Sequence, residues 1–247
     1  MATVPEVHGD RLGLLVGHSL IDLDLGRPAR RVPVDVASPR GPATVTLLDL
    51  DDVVVCSRHG LDDFRPAHLV DHHANLAALV AAGCDRVLAL GSVGSLRTDW
   101  PVGTVVVPDD VFAPWVTPSW FDDARGHRVP GFDARWRARV LEAWRAHDSS
   151  VVDGGVYAQT IGPRFETPAE VRFLATVADV VGMTLAAEAI LAGELGLAHA
   201  AVCVVDNLAN GVAANPLTEA EFRAGVAANE RSVRQALAAV LPALGRP

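Results

Sequence analysis

Three cysteines in 247 residues, Cys56, Cys84 and Cys203, are too few and too scattered for a disulfide framework or a thiolate metal site. Two of them sit in apolar, strand-like runs, so buried thiols in a reducing cytoplasm are expected. Positive charge is scarce as well: 21 Lys and Arg stand against 30 Asp and Glu, a formal net charge of -9. That balance argues against nucleic acid or an anionic membrane surface as a partner. No apolar stretch is long enough to span a bilayer. The start, Met-Ala-Thr-Val-Pro-Glu, has no basic region ahead of an apolar run, so no secretory leader is read and a cytoplasmic protein is expected. Pro/Gly/Ser-rich linkers, internal repeats and low-complexity segments are also missing. Residues 1–247 therefore read as one domain, and a hydrophobic content of 50% supplies a large core.

Short β-branched runs alternate with alanine-rich helical segments. Strands are expected at Ala43–Leu48, Val53–Cys56, Arg86–Leu90, Thr104–Val107 and Ala200–Val205. Helices are expected at His72–Ala82, stopped by Gly83, at Pro168–Val177, at Ala186–Leu195, stopped by Gly196, and at Thr218–Val240. The alternation predicts an α/β fold: a mixed, mostly parallel twisted sheet flanked by helices on both faces. Ligands in such folds collect at the carboxyl ends of strands, and Arg58-His59, Ser92 and Asn207 fall at those ends. Thr167-Pro168-Ala169-Glu170 is a capping box with Pro at the first helical position, and Thr218-Glu219-Ala220-Glu221 repeats the box without Pro. The first box fixes Glu166 immediately before a capped helix, where a side chain has little ordering entropy left to lose.

His68, His72 and His73 form the one histidine cluster. Only Asp71 stands at ligand spacing, and adjacent histidines on a helix point to different faces, so no metal is expected.

The most informative segments are Gly162-Pro163-Arg164-Phe165-Glu166-Thr167 and Gly182-Met183-Thr184 with Glu188. Arg58-His59-Gly60 with His68 and Ala74-Asn75, Gly94-Ser95-Leu96, and Asp206-Asn207 accompany them. With these residues the chain resembles the trimeric purine nucleoside phosphorylases, and more closely the branch containing the methylthioadenosine phosphorylases. The resemblance runs from about Leu12 to about Gly225. It implies phosphorolysis of an N-glycosidic bond, with inorganic phosphate as co-substrate, no further cofactor, and a homotrimer. Such chemistry needs anion binding below the sugar, packing on the sugar, and donors aimed at the departing base.

The resemblance also implies roles. Arg58 and Thr184 become phosphate ligands, with the backbone N–H of Ser92 on the same anion and His59 bordering it; an arginine fork matches phosphate oxygens. Met183 packs on the ribose. Phe165 stacks near the purine, although a core aromatic explains it equally well. Asn207 occupies the position that contacts purine N7, where adenosine-type relatives carry an aspartate and a second one two residues on; here that second position is Ala209. Glu166 accepts from the N1–H of hypoxanthine or guanine, which adenine lacks. Both positions point to a 6-oxopurine. Asp206 replaces the usual threonine and would revive an aminopurine reading if it reached the base.

Two stretches depart from the family. His18, with Ser19 after it, stands where a Ser/Thr normally binds phosphate, and Leu61-Asp62-Asp63-Phe64 replaces an Arg-Gly-His-like stretch. Acidic residues beside an anion site are unfavourable unless they face elsewhere. His127 is the residue an adjacent subunit would contribute at the 5′ end of the sugar; a loop histidine without such a role fits equally. An apolar pocket around Phe222 would suit methylthioinosine, and a polar one inosine or guanosine. Three further readings remain: a methylthioadenosine phosphorylase, a nucleoside hydrolase on the same scaffold, and a non-catalytic purine-binding protein. Retention of Arg58 and Thr184 weighs against the hydrolase.

Overall fold

The computed structural model describes residues 5–17, 28–213 and 218–245. In chain order the elements are β1 (Arg11–Val16), β2 (Arg30–Ser38), β3 (Gly41–Asp49), β4 (Val53–Ser57), α1 (His72–Ala81), β5 (Cys84–Ser95), β6 (Val105–Val107), β7 (Asp110–Phe112) and α2 (Ala134–His147). They continue with β8 (Val152–Asp153), β9 (Val156–Gln159), α3 (Pro168–Leu174), β10 (Val180–Gly182), α4 (Leu185–Leu195), β11 (Ala198–Leu208) and α5 (Glu219–Leu244).

Among the described residues one sheet holds all the strands, in the order β2-β3-β4-β1-β5-β10-β9-β7, with β11 on β5 and then β6 and β8. The pairs β1–β4, β1–β5, β5–β11, β9–β10, β7–β9 and β6–β8 are parallel; β2–β3, β3–β4, β5–β10 and β6–β11 are antiparallel. The sheet is thus mixed and mostly parallel, as the alternation predicts.

Alternate side chains of the central strands feed opposite faces. Leu15, Ala89 and Cys203 pack with Leu76 and Leu79 of α1 and Leu185 and Leu191 of α4. Leu14, Leu88 and Val202 pack on the other face with Trp136 and Trp144 of α2 and Leu237 and Val240 of α5. All three cysteines are free and buried in this core. No helix of the described residues is long and apolar enough to cross a membrane.

The strand β5 organises the functional edge. The strand β11 follows it from Arg86 to Ser95, so β1 and β10 must share the opposite edge. There β1 pairs only as far as Ala89, and β10 takes up the last two residues, Gly94 and Ser95. The segment Leu90–Val93 is left open between them, at the carboxyl ends of the parallel strands β1, β4, β5 and β11.

Candidate active site

Arg58 follows β4 and fills the start of this opening. Its guanidinium is buried and bound by the Glu188 carboxylate through Nε (2.6 Å) and Nη2 (3.2 Å). Nη1 donates to the Leu90 carbonyl at 2.7 Å and Nη2 to the Leu15 carbonyl at 3.3 Å. Four of the five guanidinium N–H donors are thereby committed inside the fold. The sequence reading gave the arginine fork to phosphate; the fork grips Glu188 instead, and one Nη1 hydrogen is left toward Gly17 at the end of β1. Asn75 of α1 donates to the Arg58 carbonyl at 3.0 Å, which fixes the loop after β4. His72 Nδ1 lies 3.7 Å from Glu188 Oε1. Burial, with help from the Arg58 charge, depresses the His72 pKa to about 3, so the ring is neutral. Burial likewise raises the Glu188 pKa, and Arg58 opposes it.

Because β10 runs antiparallel to the end of β5, the chain leaving it at Met183-Thr184 turns back toward Ser92. Leu185 then packs so closely on Gly91 that a Cβ there would lie 2.6 Å from Leu185 Cδ1. Thr184 is the residue before α4, yet its hydroxyl makes no capping bond. The backbone N–H groups of Thr184 and Leu185 donate instead to the buried Tyr157 hydroxyl, at 3.1 and 3.3 Å. Gln159 braces the same turn, donating to the Met183 carbonyl (3.0 Å) and accepting from Ala187 N–H (2.9 Å). These bonds spend the N–H groups of Thr184, Leu185 and Ala187 inside the fold, so what this turn can offer a ligand is the Thr184 hydroxyl, which caps no helix.

Beside Met183 runs the loop from Thr160 to Thr167. Gly162 has φ of +68° and sits against the thioether, where a Cβ would lie 2.5 Å from Met183 Sδ. Only glycine meets both conditions. Glu166 is buried and accepts from the Thr160 hydroxyl at 2.6 Å. Its carbonyl accepts from Asn210 at 3.1 Å, which brings the residues after β11 against this loop. A cavity of about 640 Å³, lined by Glu166, Thr160, Ile161, Trp115 and Phe173 among others, opens next to it. Phe165 meets Phe222 of α5 edge to face, ring centroids 5.5 Å apart.

The fourth wall is a β-bulge. In the ladder with β5, Val205 pairs with Val93 and Asn207 with Gly94, so Asp206 is the extra residue. Bulges re-aim side chains. Asp206 turns to α5, where Asn229 Nδ2 donates to Oδ1 at 2.7 Å. Burial raises its pKa, opposed by hydrogen bonds from Ser92 and Asn229. Asn207 stays on the Gly94 side, its amide donating to the Leu208 carbonyl at 2.9 Å.

The remaining expected residues are placed differently. His18 and Ser19 lie outside the described residues. His59 Nδ1 lies 2.7 Å from the Arg65 carbonyl and its ring stacks on Phe64, within the loop after Arg58. Asp62 pairs with Arg31 and accepts from the Thr46 hydroxyl, which neutralises one of the two acidic residues of that stretch. His127 is exposed. Its neighbour Arg128 donates to the Gly193 carbonyl, near the opposite end of α4 from Thr184. Nine residues of helix separate those points by about 13 Å, so His127 does not reach the opening of its own chain. Sequence reasoning gave no role to Tyr157, Gln159 or Asn229 and did not foresee the Glu188 clamp, whose partner stands 130 positions away.

Residues 11–242 match the model of the phosphorylase superfamily. The chain is 35% identical over 204 residues to a protein of Archaeoglobus fulgidus named probable 6-oxopurine nucleoside phosphorylase, covering 81% of this chain and 83% of the relative. It is 35% identical over 212 residues to a probable S-methyl-5′-thioinosine phosphorylase of Methanothermobacter thermautotrophicus, covering 84% and 75%. Among solved structures, methylthioadenosine phosphorylase from Schistosoma mansoni in complex with adenine superposes with a TM-score of 0.80 at 25% identity, over 95% of this chain and 92% of that one.

Proposed function

The chain belongs to the phosphorylase superfamily, and from that membership we propose that it is a purine nucleoside phosphorylase for 6-oxopurine nucleosides. It would cleave the N-glycosidic bond with phosphate to give the free base and the pentose 1-phosphate. The observation that carries the base preference is the division at the β11 bulge. Asp206 is engaged by Asn229, and the residue left on the Gly94 side is an amide, Asn207. One N–H of that amide is spent on the Leu208 carbonyl, and the other would donate to N7, or to O6, of a departing hypoxanthine or guanine. Glu166, held by Thr160, accepts from N1–H. Adenine would leave this buried carboxylate facing a second acceptor.

Phosphate is assigned to the opening along Leu90–Val93. There the Thr184 hydroxyl, the Ser92 backbone N–H and the remaining Arg58 N–H would supply donors, with His59 in the loop that follows. Met183 packs on the sugar, so that the pentose is held between anion and base as positive charge develops on it. The Phe165–Phe222 contact makes the α5 side apolar, which favours a 5′-methylthio group over a 5′-hydroxyl. A homotrimer in which a neighbour supplies His127 would complete that end. A reducing cytoplasm suits the buried free thiols.

Purine release from methylthioinosine, inosine, guanosine and methylthioadenosine, with and without phosphate, tests this. Hypoxanthine should appear only with phosphate, fastest from methylthioinosine. Release without phosphate would make the protein a hydrolase; adenine as the main product would overturn the roles of Glu166 and Asn207.

A further inference from the structure

Three residues of α5, Phe222, Gly225 and Asn229, are spaced i, i+3 and i+7 and so form one ridge. This ridge is the part of the helix that touches the site. Phe222 meets Phe165 of the base loop. Gly225 meets the bulge backbone directly: a Cβ added there would lie 1.7 Å from the Asp206 carbonyl oxygen. Asn229, buried, donates to both the Val205 carbonyl (3.0 Å) and Asp206 Oδ1 (2.7 Å). Asp206 is itself buried, held by Asn229 and by the Ser92 hydroxyl. Its carboxylate replaces the expected threonine.

We propose that Asp206 and Asn229, with the helix-to-strand contact at Gly225, form a latch that positions Asn207 and Phe222 together, and so are positioning residues for the nucleoside. The proposal rests on the phosphorylase reading for its substrate. The physical reason is the bulge. An extra residue loosens the ladder where Asn207 must point at the base, and a charge-assisted amide–carboxylate bond to a packed helix restores the lost constraint. The same bond sets the height of Phe222 over the loop. Nothing in the latch touches Arg58, Thr184 or the open edge of β5 except the Ser92 hydroxyl, which bonds Asp206. Asn229 bonds the Val205 carbonyl and Asp206 Oδ1, so its removal acts first on Asn207 and the nucleoside and reaches the phosphate side less directly, through Ser92.

The test is steady-state kinetics of Asn229→Ala, which leaves Asp206 and Ser92 in place, and of the exchanged pair Asp206→Asn with Asn229→Asp. Asn229→Ala should raise KM for methylthioinosine about tenfold, or about 1.4 kcal/mol, while KM for phosphate stays within about twofold. The exchanged pair restores an amide facing a carboxylate but turns a carboxylate on the Val205 carbonyl, so it should recover only part of the loss. Parallel rises in both KM values, or a lowered thermal midpoint with neither KM changed, would overturn the latch. Calorimetric binding of hypoxanthine separates this from the function reading. If the unaltered chain binds hypoxanthine but turns over no nucleoside, the phosphorylase reading fails. The latch then stands on weaker hypoxanthine binding by Asn229→Ala and falls on equal binding. No hypoxanthine binding by the unaltered chain would overturn both.

Discussion

At the scale of single residues, the site is set by which polar groups are already spent. Arg58 shows this best: an arginine at a strand end reads as a phosphate fork, but its fork is closed on Glu188, with side-chain exposures of 3% and 1%. The pair contributes no net charge to the opening, so in the proposed reading phosphate would be met by single donors. Replacing Glu188 by Gln should leave the guanidinium charge uncompensated and its donors freed, and lower KM for phosphate about threefold or more, with a smaller change in KM for nucleoside. Removing one partner of a buried pair also costs about 3–5 kcal/mol of stability, which urea unfolding would register. An unchanged phosphate KM in a folded Glu188→Gln variant would remove Arg58 from the anion site. The arginine and its partner are each legible in the sequence as motif residues. Their pairing is not, because nothing local couples positions so far apart. Of Asp206 and Asn229 only the first is legible as a motif residue, and their pairing is not.

At the scale of elements, sequence signals worked where local chemistry decides the backbone. Both capping boxes form as read, at Thr167/Glu170 and Thr218/Glu221. Gly83 and Gly196 carry positive φ beyond α1 and α4, as their stop signals imply. The helix α3 ends at Leu174, short of the expected Val177, because the last turn tightens: Thr176 Oγ1 bonds the Phe173 carbonyl at 2.6 Å and Val177 N–H bonds Leu174. The helix α2 went unread, although Trp136, Val140 and Trp144 recur every four residues and Asp133 caps it by accepting from Trp136 N–H at 2.7 Å. Its many arginines hid the apolar stripe. The strand β2 contains Pro33, and it lies at the sheet edge, where a missing N–H is tolerated. The strands β9 and β10 are too short to show a pattern. Thr167→Ala should cost about 1 kcal/mol through the lost cap. It should also raise KM for nucleoside more than for phosphate, since that cap fixes Glu166; equal changes would separate the cap from base binding.

At the scale of the whole molecule, two buried histidines tie stability to pH. His72 and His199 both have pKa values depressed from 6.5 to about 3 in the fold, by burial first and then by the Arg58 charge. Among the described residues neither His199 nitrogen has a hydrogen-bond partner, and the ring stacks on Phe132 at 5.8 Å. The unfolded chain binds these protons first as pH falls. Their contribution is therefore complete above about pH 6.5 and is lost toward pH 3, at about 1.4 kcal/mol per pH unit for each ring. Urea midpoints at pH 7 and pH 5 should differ accordingly, and His199→Leu should flatten the slope by about half. A pH-independent midpoint over that window would mean that both rings are solvated.

In the proposed reading, loop, bulge and helix together decide one property, the choice between a 6-oxopurine and a 6-aminopurine. It is tested most directly by the ratio of kcat/KM for methylthioinosine to that for methylthioadenosine, measured for the unaltered chain and for Asn207→Asp. The unaltered chain should favour methylthioinosine by more than about 10³, as expected when a mismatched base leaves buried polar groups unpaired, and Asn207→Asp should lower the ratio at least tenfold. A ratio near one, or one that Asn207→Asp does not move, would contradict base reading by Glu166 and Asn207.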